Sequence, residues 1–194
     1  GKASGEDGIP IEVLKTAKDT VFRALAERFT AYLETCWTPD QWKTSRTTLL
    51  FKKGNSEDLE NYRPISLLPV LYKVFMKCLV ARLRKHLEEQ QPVEQAGFRS
   101  GFSTMDHIQS IYRLVEVGRE FRMALVLIFV DFKKAFDSAE IDPLLTSLGE
   151  QQVDPGYINI ISEIYSSMST KIKLLGEEVE VPVFRGVRQG DPLS

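Results

Sequence analysis

The chain has 194 residues, 43% of them hydrophobic and 27% charged, with a formal net charge of −2. That composition excludes a collagen-like or disordered chain and allows one medium domain or two small ones with a real core. No apolar run approaches the roughly 20 residues that a membrane-spanning helix needs, so no membrane partner is expected. The first eight residues lack the apolar core of a signal peptide.

Cys36 and Cys78 have neither CxxC nor Cys/His spacing. Reduced core thiols are expected, with no zinc site and an intracellular location, nuclear or cytoplasmic. A net negative chain argues against phosphate binding, but the charge is uneven. Residues 43–100 carry eleven basic and six acidic groups, and residues 101–194 carry nine and fourteen. That split suits a protein holding phosphates at one end and metal ions at the other, and it equally suits ordinary scatter on a solvated surface.

In chain order, Gly5-Glu6-Asp7-Gly8 reads as a polar turn, and Pro10 suits the first position of a helix. Val13, Leu14, Ala17, Val21, Leu25, Phe29, Tyr32 and Leu33 recur at helical spacing, so one helix is predicted up to Thr38-Pro39. Residues 45–53 read as a strand ending at Gly54-Asn55. Residues 62–68 are extended again, because a residue before proline avoids the α region. Leu71, Val74, Phe75, Cys78, Leu79, Arg82, Leu83 and Leu87 mark a second amphipathic helix, ending before Pro92. Ser103 with Asp106 three residues on is a helix-start signal.

Residues 124–130 are apolar on both faces, which predicts a buried central strand. Residues 156–168 can form a helix, and residues 170–174 and 178–183 alternate around Gly176 as a hairpin would.

Asp131 follows the predicted buried strand. A carboxylate leaving such a strand costs desolvation unless it is paired, hydrogen-bonded or bound to a cation. Metal-assisted phosphoryl transfer needs carboxylates on a rigid edge of this kind; a helix-capping role is the alternative. Phe132-Lys133-Lys134-Ala135-Phe136-Asp137 follows directly. The whole of Val130-Asp131 through Asp137-Ser138 resembles motif A of the reverse transcriptases of non-LTR (LINE-type) retrotransposons.

Four further segments resemble the same family in the same order. They are Gly5 to Pro10, then Asn61-Tyr62-Arg63-Pro64-Ile65-Ser66-Leu67-Leu68 with Tyr72-Lys73, then Gln95-Ala96-Gly97-Phe98-Arg99 with Ser103-Thr104, and finally Gly186-Val187-Arg188-Gln189-Gly190-Asp191-Pro192-Leu193-Ser194, which resembles motif B. A group II intron type is the runner-up within the class, and the Tyr-Arg-Pro-Ile-Ser and Phe-Asp-Ser wording favours the LINE type.

The resemblance implies an RNA-directed DNA polymerase using an RNA template, a DNA primer, deoxynucleoside triphosphates and Mg2+. Asp131 would bind the catalytic Mg2+. Phe136 would be the steric gate under the nucleotide sugar, with a plain core aromatic as its alternative. Arg63 would clamp the triphosphate, helped by Lys52 or Lys53, whichever the strand turns inward. Gln189 and Gly190 would lie beside nucleotide and template. Gln95, Phe98 and Arg99 would position template or fingers, or serve packing.

The implied fold is α+β: right-hand polymerase fingers over residues 1–120 and a partial palm over residues 121–194, its antiparallel sheet backed by helices, the thumb absent. The family's Asp-Asp motif C is not found before Ser194, so a fragment inactive alone is expected. A non-catalytic retroelement remnant, binding nucleic acid or purely structural, is the alternative.

Overall fold

The computed structural model describes residues 5, 7–92, 94–99, 101–174 and 176–193; Glu6 and Ser194, parts of two of the motifs, lie outside the described residues. Its helices are α1 Ile11–Lys15, α2 Asp19–Thr35, α3 Val70–Gln90, α4 Thr104–Glu120, α5 Ala135–Ser138, α6 Ile141–Glu150 and α7 Pro155–Tyr165. Its strands are β1 Thr44–Phe51, β2 Tyr62–Leu67, β3 Ser169–Leu174 and β4 Glu177–Pro182. The fold is therefore mixed α/β. The chain divides into two compact units, Gly1–Leu83 with Lys134–Ser194 and Arg84–Lys133.

In the first unit the predicted N-terminal helix is two. Thr16 ends α1 by turning its hydroxyl onto the carbonyl oxygens of Glu12 and Val13, at 3.2 and 3.1 Å. Such back-bonding competes with continued helix. The chain restarts at Asp19, whose carboxylate suits the positive end of α2. Cys36 closes α2 in the left-handed conformation, φ 49°.

Asp7 reaches across to α3, where its carboxylate accepts the Val70 N–H at 2.8 Å. That satisfies one orphan donor of the helix start from outside the local sequence. A side-chain cap of this type contributes about 1 kcal/mol. Asp7→Ala is accordingly expected to lower unfolding free energy by about that amount in urea titration, while Asp7→Asn retains most of it.

α3 buries Val70, Tyr72, Phe75, Met76, Leu79 and Leu83. Its buried stripe is thus rotated from the predicted one, and Cys78 is exposed while Cys36 is half-buried. The expectation of core thiols fails because the ring cluster beneath α3 pulls Tyr72 and Met76 inward instead. Phe29 of α2 meets Phe75 edge-on at 5.1 Å, and Trp42 lies 5.4 Å from both Phe75 and Tyr32. α7 buries Ile160, Ile161, Ile164 and Tyr165, and it packs on α6 and α2. Asp154 caps α7 through the Gly156 N–H at 2.8 Å, with Pro155 opening the helix.

The sheet runs β2-β1-β3-β4. β1 and β2 form an antiparallel ribbon, and β3 and β4 a hairpin turned at Gly176. Between them β1 pairs with β3 in parallel, Thr44↔Ser169 through Thr47↔Ile172. The sheet is therefore mixed, its parallel pair joining the antiparallel ribbon to the antiparallel hairpin. A parallel pair needs a long crossover, and more than a hundred residues separate these two strands. Hydroxyls lace the junction: Thr44 to Ser169 at 3.1 Å, Ser45 to Thr170 at 3.0 Å, Thr47 to Thr170 at 2.7 Å.

The second unit holds α4, started as the sequence indicates. The Asp106 carboxylate accepts from the Ser103 N–H at 2.6 Å and the Ser103 hydroxyl at 2.9 Å. Those bonds, the backbone one foremost, hold the Asp106 pKa below the usual carboxylate range. After α4 the chain reverses at Phe121-Arg122, and the Met123 N–H bonds back to Gly118 at 2.8 Å.

Residues 123–132 then run without helix or strand. The predicted central strand is not formed. Leu125 and Leu127 are 44% and 42% exposed, and Val126 and Ile128 are 81% and 84% exposed. Residues 125–128 keep a twofold alternation that is lost at Phe129 and Val130, but a strand exists only through its ladder, and no described strand pairs with this one.

Candidate active site

The motif segments around Arg63, Phe136 and Gln189 are held by backbone contacts that their own sequences do not supply. β1 and β2 are in register with Leu50↔Arg63 and Phe51↔Tyr62, and the Lys52 N–H continues the ladder to the Asn61 carbonyl at 2.8 Å. Side chains alternate faces along a strand. Arg63 therefore shares a face with Leu50 and Lys52, while Lys53 falls with Phe51 and Tyr62, whose rings meet at 5.4 Å on the other face. By this register Lys52 is the neighbour of Arg63. Both cations are exposed.

Phe136 lies in α5, which Lys134 enters in the left-handed conformation with φ 52°. Lys134 also approaches Glu60, beside the start of β2, at 3.7 Å. The ring of Phe136 is half-buried. Its carbonyl accepts the Val187 N–H at 2.9 Å, and the Ala139 carbonyl accepts the Gly186 N–H at 2.7 Å. Gly186 has φ 93°, and a Cβ there would lie 3.0 Å from the Asp137 carbonyl oxygen. Only glycine permits both the conformation and the approach.

From this seam the chain turns. The Asp191 N–H bonds to the Arg188 carbonyl at 2.9 Å, with Gly190 at φ 107° inside the turn. The Ser66 N–H of β2 donates to the Gln189 carbonyl at 3.0 Å. Residues 186–191 are thus bonded to the Phe136 segment on one side and to β2, three residues beyond Arg63, on the other. A cavity of about 120 Å³ opens here, lined among others by Thr47, Ser66, Asp137, Thr170, Gly186 and Gln189.

Beneath the turn is a buried polar cluster that sequence reasoning missed. Arg188 and Asp191 are 5% exposed. Arg188 donates from Nη1 to the Trp42 carbonyl at 2.8 Å and from Nη2 to the Tyr72 hydroxyl at 2.9 Å. The Tyr72 hydroxyl donates to Asp191 Oδ2, and so does the Tyr165 hydroxyl at 3.4 Å. Arg188 Nε lies 3.6 Å from the same carboxylate oxygen. The guanidinium also stands over the Tyr72 ring, 4.8 Å from its centre. Burial, reinforced by the Asp191 charge and opposed by Arg188, pushes both tyrosine hydroxyls well above the ordinary tyrosine range. The only sequence signal was two opposite charges three residues apart around a Gln-Gly pair.

Asp131 belongs to the second unit and is exposed, at the end of the unpaired segment. The desolvation argument that singled it out therefore does not hold, because water reaches the carboxylate. In the same unit Phe98 is 91% exposed, and Arg99 stands 5.2 Å over the Phe102 ring. Among the described residues no helix is long and apolar enough to cross a membrane.

Residues 51–194 match the family described as reverse transcriptase (RNA-dependent DNA polymerase). The chain is 29% identical to the transposon TX1 uncharacterized 149 kDa protein of Xenopus laevis, covering 100% of this chain and 15% of that one. It is 28% identical to the retrovirus-related Pol polyprotein from type-1 retrotransposable element R2 of Popillia japonica, over 99% of this chain and 26% of the relative. It is 26% identical to the RNA-directed DNA polymerase from mobile element jockey of Drosophila melanogaster, over 100% and 21%. The chain thus spans about a quarter or less of the length of these relatives. On the family match and the order of its motifs, this chain belongs to the reverse transcriptase family, in its non-LTR retrotransposon form.

Proposed function

We propose that this chain is the fingers and partial palm of an RNA-directed DNA polymerase, the fingers over residues 1–120 and the palm from residue 121. The enzyme would extend a DNA primer on an RNA template from deoxynucleoside triphosphates. The observation that carries this reading is the convergence just described: the Arg63 strand, the Phe136 turn and the Gln189-Gly190 turn, far apart in sequence, are hydrogen-bonded into one surface.

Within that surface each residue has a task its chemistry suits. Arg63 donates its planar fork to triphosphate oxygens, and Lys52 beside it adds a point charge. The Phe136 ring lies under the nucleotide sugar, where a ribose 2′-hydroxyl would collide with it. Gln189 offers hydrogen bonds to nucleotide and template, and Gly190 lets the backbone come close.

Among the described residues no group of three or more His, Cys, Asp and Glu side chains forms a metal cage. A single exposed carboxylate nevertheless fits Mg2+, which binds through one or two carboxylates while substrate phosphates and water fill its octahedron. Asp131 would hold the metal in this way. When bound, the metal would offset the negative charge of the phosphates and make the primer 3′-hydroxyl more acidic, the chemistry of two-metal nucleotidyl transfer.

The test is kinetic, in a polymerase of the relatives' length that carries this chain. Arg63→Ala is expected to raise the KM for deoxynucleotides, leaving template–primer affinity nearly unchanged. Loss of a charged hydrogen bond is worth about 1.5–3 kcal/mol, or roughly ten- to more than a hundredfold. Arg63→Lys should recover part of this, since a point charge lacks the fork. Weakened template–primer binding with nucleotide affinity intact would assign Arg63 to nucleic acid instead.

A further inference from the structure

We infer that Tyr72 and Tyr165 are positioning residues for the nucleotide site, acting through the Arg188–Asp191 pair to fix the Gln189-Gly190 turn. The inference rests on the reading of Gln189 as a nucleotide contact and extends it to two helices with no part in the sequence motif around Gln189.

Within the turn Gly190 is exposed and Gln189 half-buried, while its two ends are buried. Both ends are charged and opposite, which alone would close the turn. Closure does not orient it, because an ion pair three residues apart can rotate as a unit about the chain. Orientation comes from outside. Arg188 is tied to the Trp42 carbonyl at 2.8 Å, before β1, and to the Tyr72 hydroxyl of α3 at 2.9 Å. Asp191 is tied to the same hydroxyl and to Tyr165 of α7.

Three separate elements therefore grip the two ends: the Tyr72 hydroxyl touches both charges, and the Tyr165 hydroxyl adds a second hold on Asp191. The Ser66 N–H then finds the Gln189 carbonyl at 3.0 Å, so a rotated turn would lose its register with the strand carrying Arg63. A buried network whose members are mutually bonded holds one geometry more firmly than its separate pairs.

Tyr72→Phe isolates the effect. It keeps the ring against Trp42 and under the Arg188 guanidinium, and removes only the hydroxyl. In the polymerase of the relatives' length, Tyr72→Phe should raise the deoxynucleotide KM about threefold to tenfold, the size of one net hydrogen bond. The kcat and the template–primer Kd should stay within about twofold. Tyr165→Phe, with the longer bond, should act in the same direction but less, and it serves if Tyr72→Phe does not fold. In a Gln189→Ala background either change should move KM less than about twofold, because the residue being positioned is gone.

A lowered Tm with KM unchanged, or an undiminished effect in the Gln189→Ala background, overturns the inference while leaving the nucleotide role of Gln189 standing. If Gln189→Ala itself leaves the nucleotide KM unchanged, the reading of Gln189 falls and takes this inference with it.

Discussion

Arg188→Ala is expected to destabilise the chain by about 3–5 kcal/mol, because it strands a buried carboxylate. Asp191 loses the guanidinium and keeps neutral donors, among them the two tyrosine hydroxyls and the Leu193 N–H, and the Trp42 carbonyl and Tyr72 hydroxyl each lose a donor. The guanidinium is not merely a charge here, since its planar face also covers the Tyr72 and Tyr165 rings, at 4.8 and 5.7 Å. Asp191→Ala should cost a similar amount by stranding the arginine.

The pair itself, as opposed to its halves, contributes much less. Desolvating two ions offsets most of their attraction, so Arg188→Ala/Asp191→Ala together should cost less than the sum of the singles by about 0.5–3 kcal/mol. Urea unfolding of the four proteins measures the cycle. Strict additivity would mean that the two side chains act independently, and that the 3.6 Å approach of Nε to Oδ2 is incidental.

That cluster shows where sequence reading stops. The β1–β2 ribbon, the β3–β4 hairpin, α3 and the start of α4 were legible because their signals are local: alternation, proline, Gly176, and Ser103 with Asp106 three residues on. α6 was overlooked although Ile141, Leu144, Leu145 and Leu148 carry helical spacing, since Pro143 reads as a breaker until it is recognised as first-turn proline.

The rest depends on partners distant in sequence. Nothing near Thr44 announces Ser169, and nothing near Asp7 announces Val70. The charges of Arg188 and Asp191 read as surface because lysine, arginine and acids usually are; partners such as Trp42, Tyr72 and Tyr165 make their burial tolerable. The choice between Lys52 and Lys53 is of another kind. It required one fact of register, and Leu50↔Arg63 supplies it.

The misjudged strand bears on the last expectation, that Asp131→Asn abolishes metal-dependent DNA synthesis without disturbing the fold. Apolar residues 124–130 read as buried because hydropathy is blind to pairing. In the chain they are exposed, and Asp131 with them. An exposed carboxylate contributes little to folding, so the asparagine variant should match the parent in circular dichroism and urea midpoint.

Catalysis should respond quite differently. Asparagine keeps the shape and one carbonyl oxygen but removes the negative charge, and a hard divalent cation is held chiefly by charge. Polymerisation by the protein of the relatives' length should fall by roughly a thousandfold or more. A higher Mg2+ concentration should restore part of the rate if weakened metal binding is the cause. Template–primer binding, measured without nucleotide, should be unaffected. Polymerisation that survives Asp131→Asn at ordinary Mg2+ would remove this residue from the metal site.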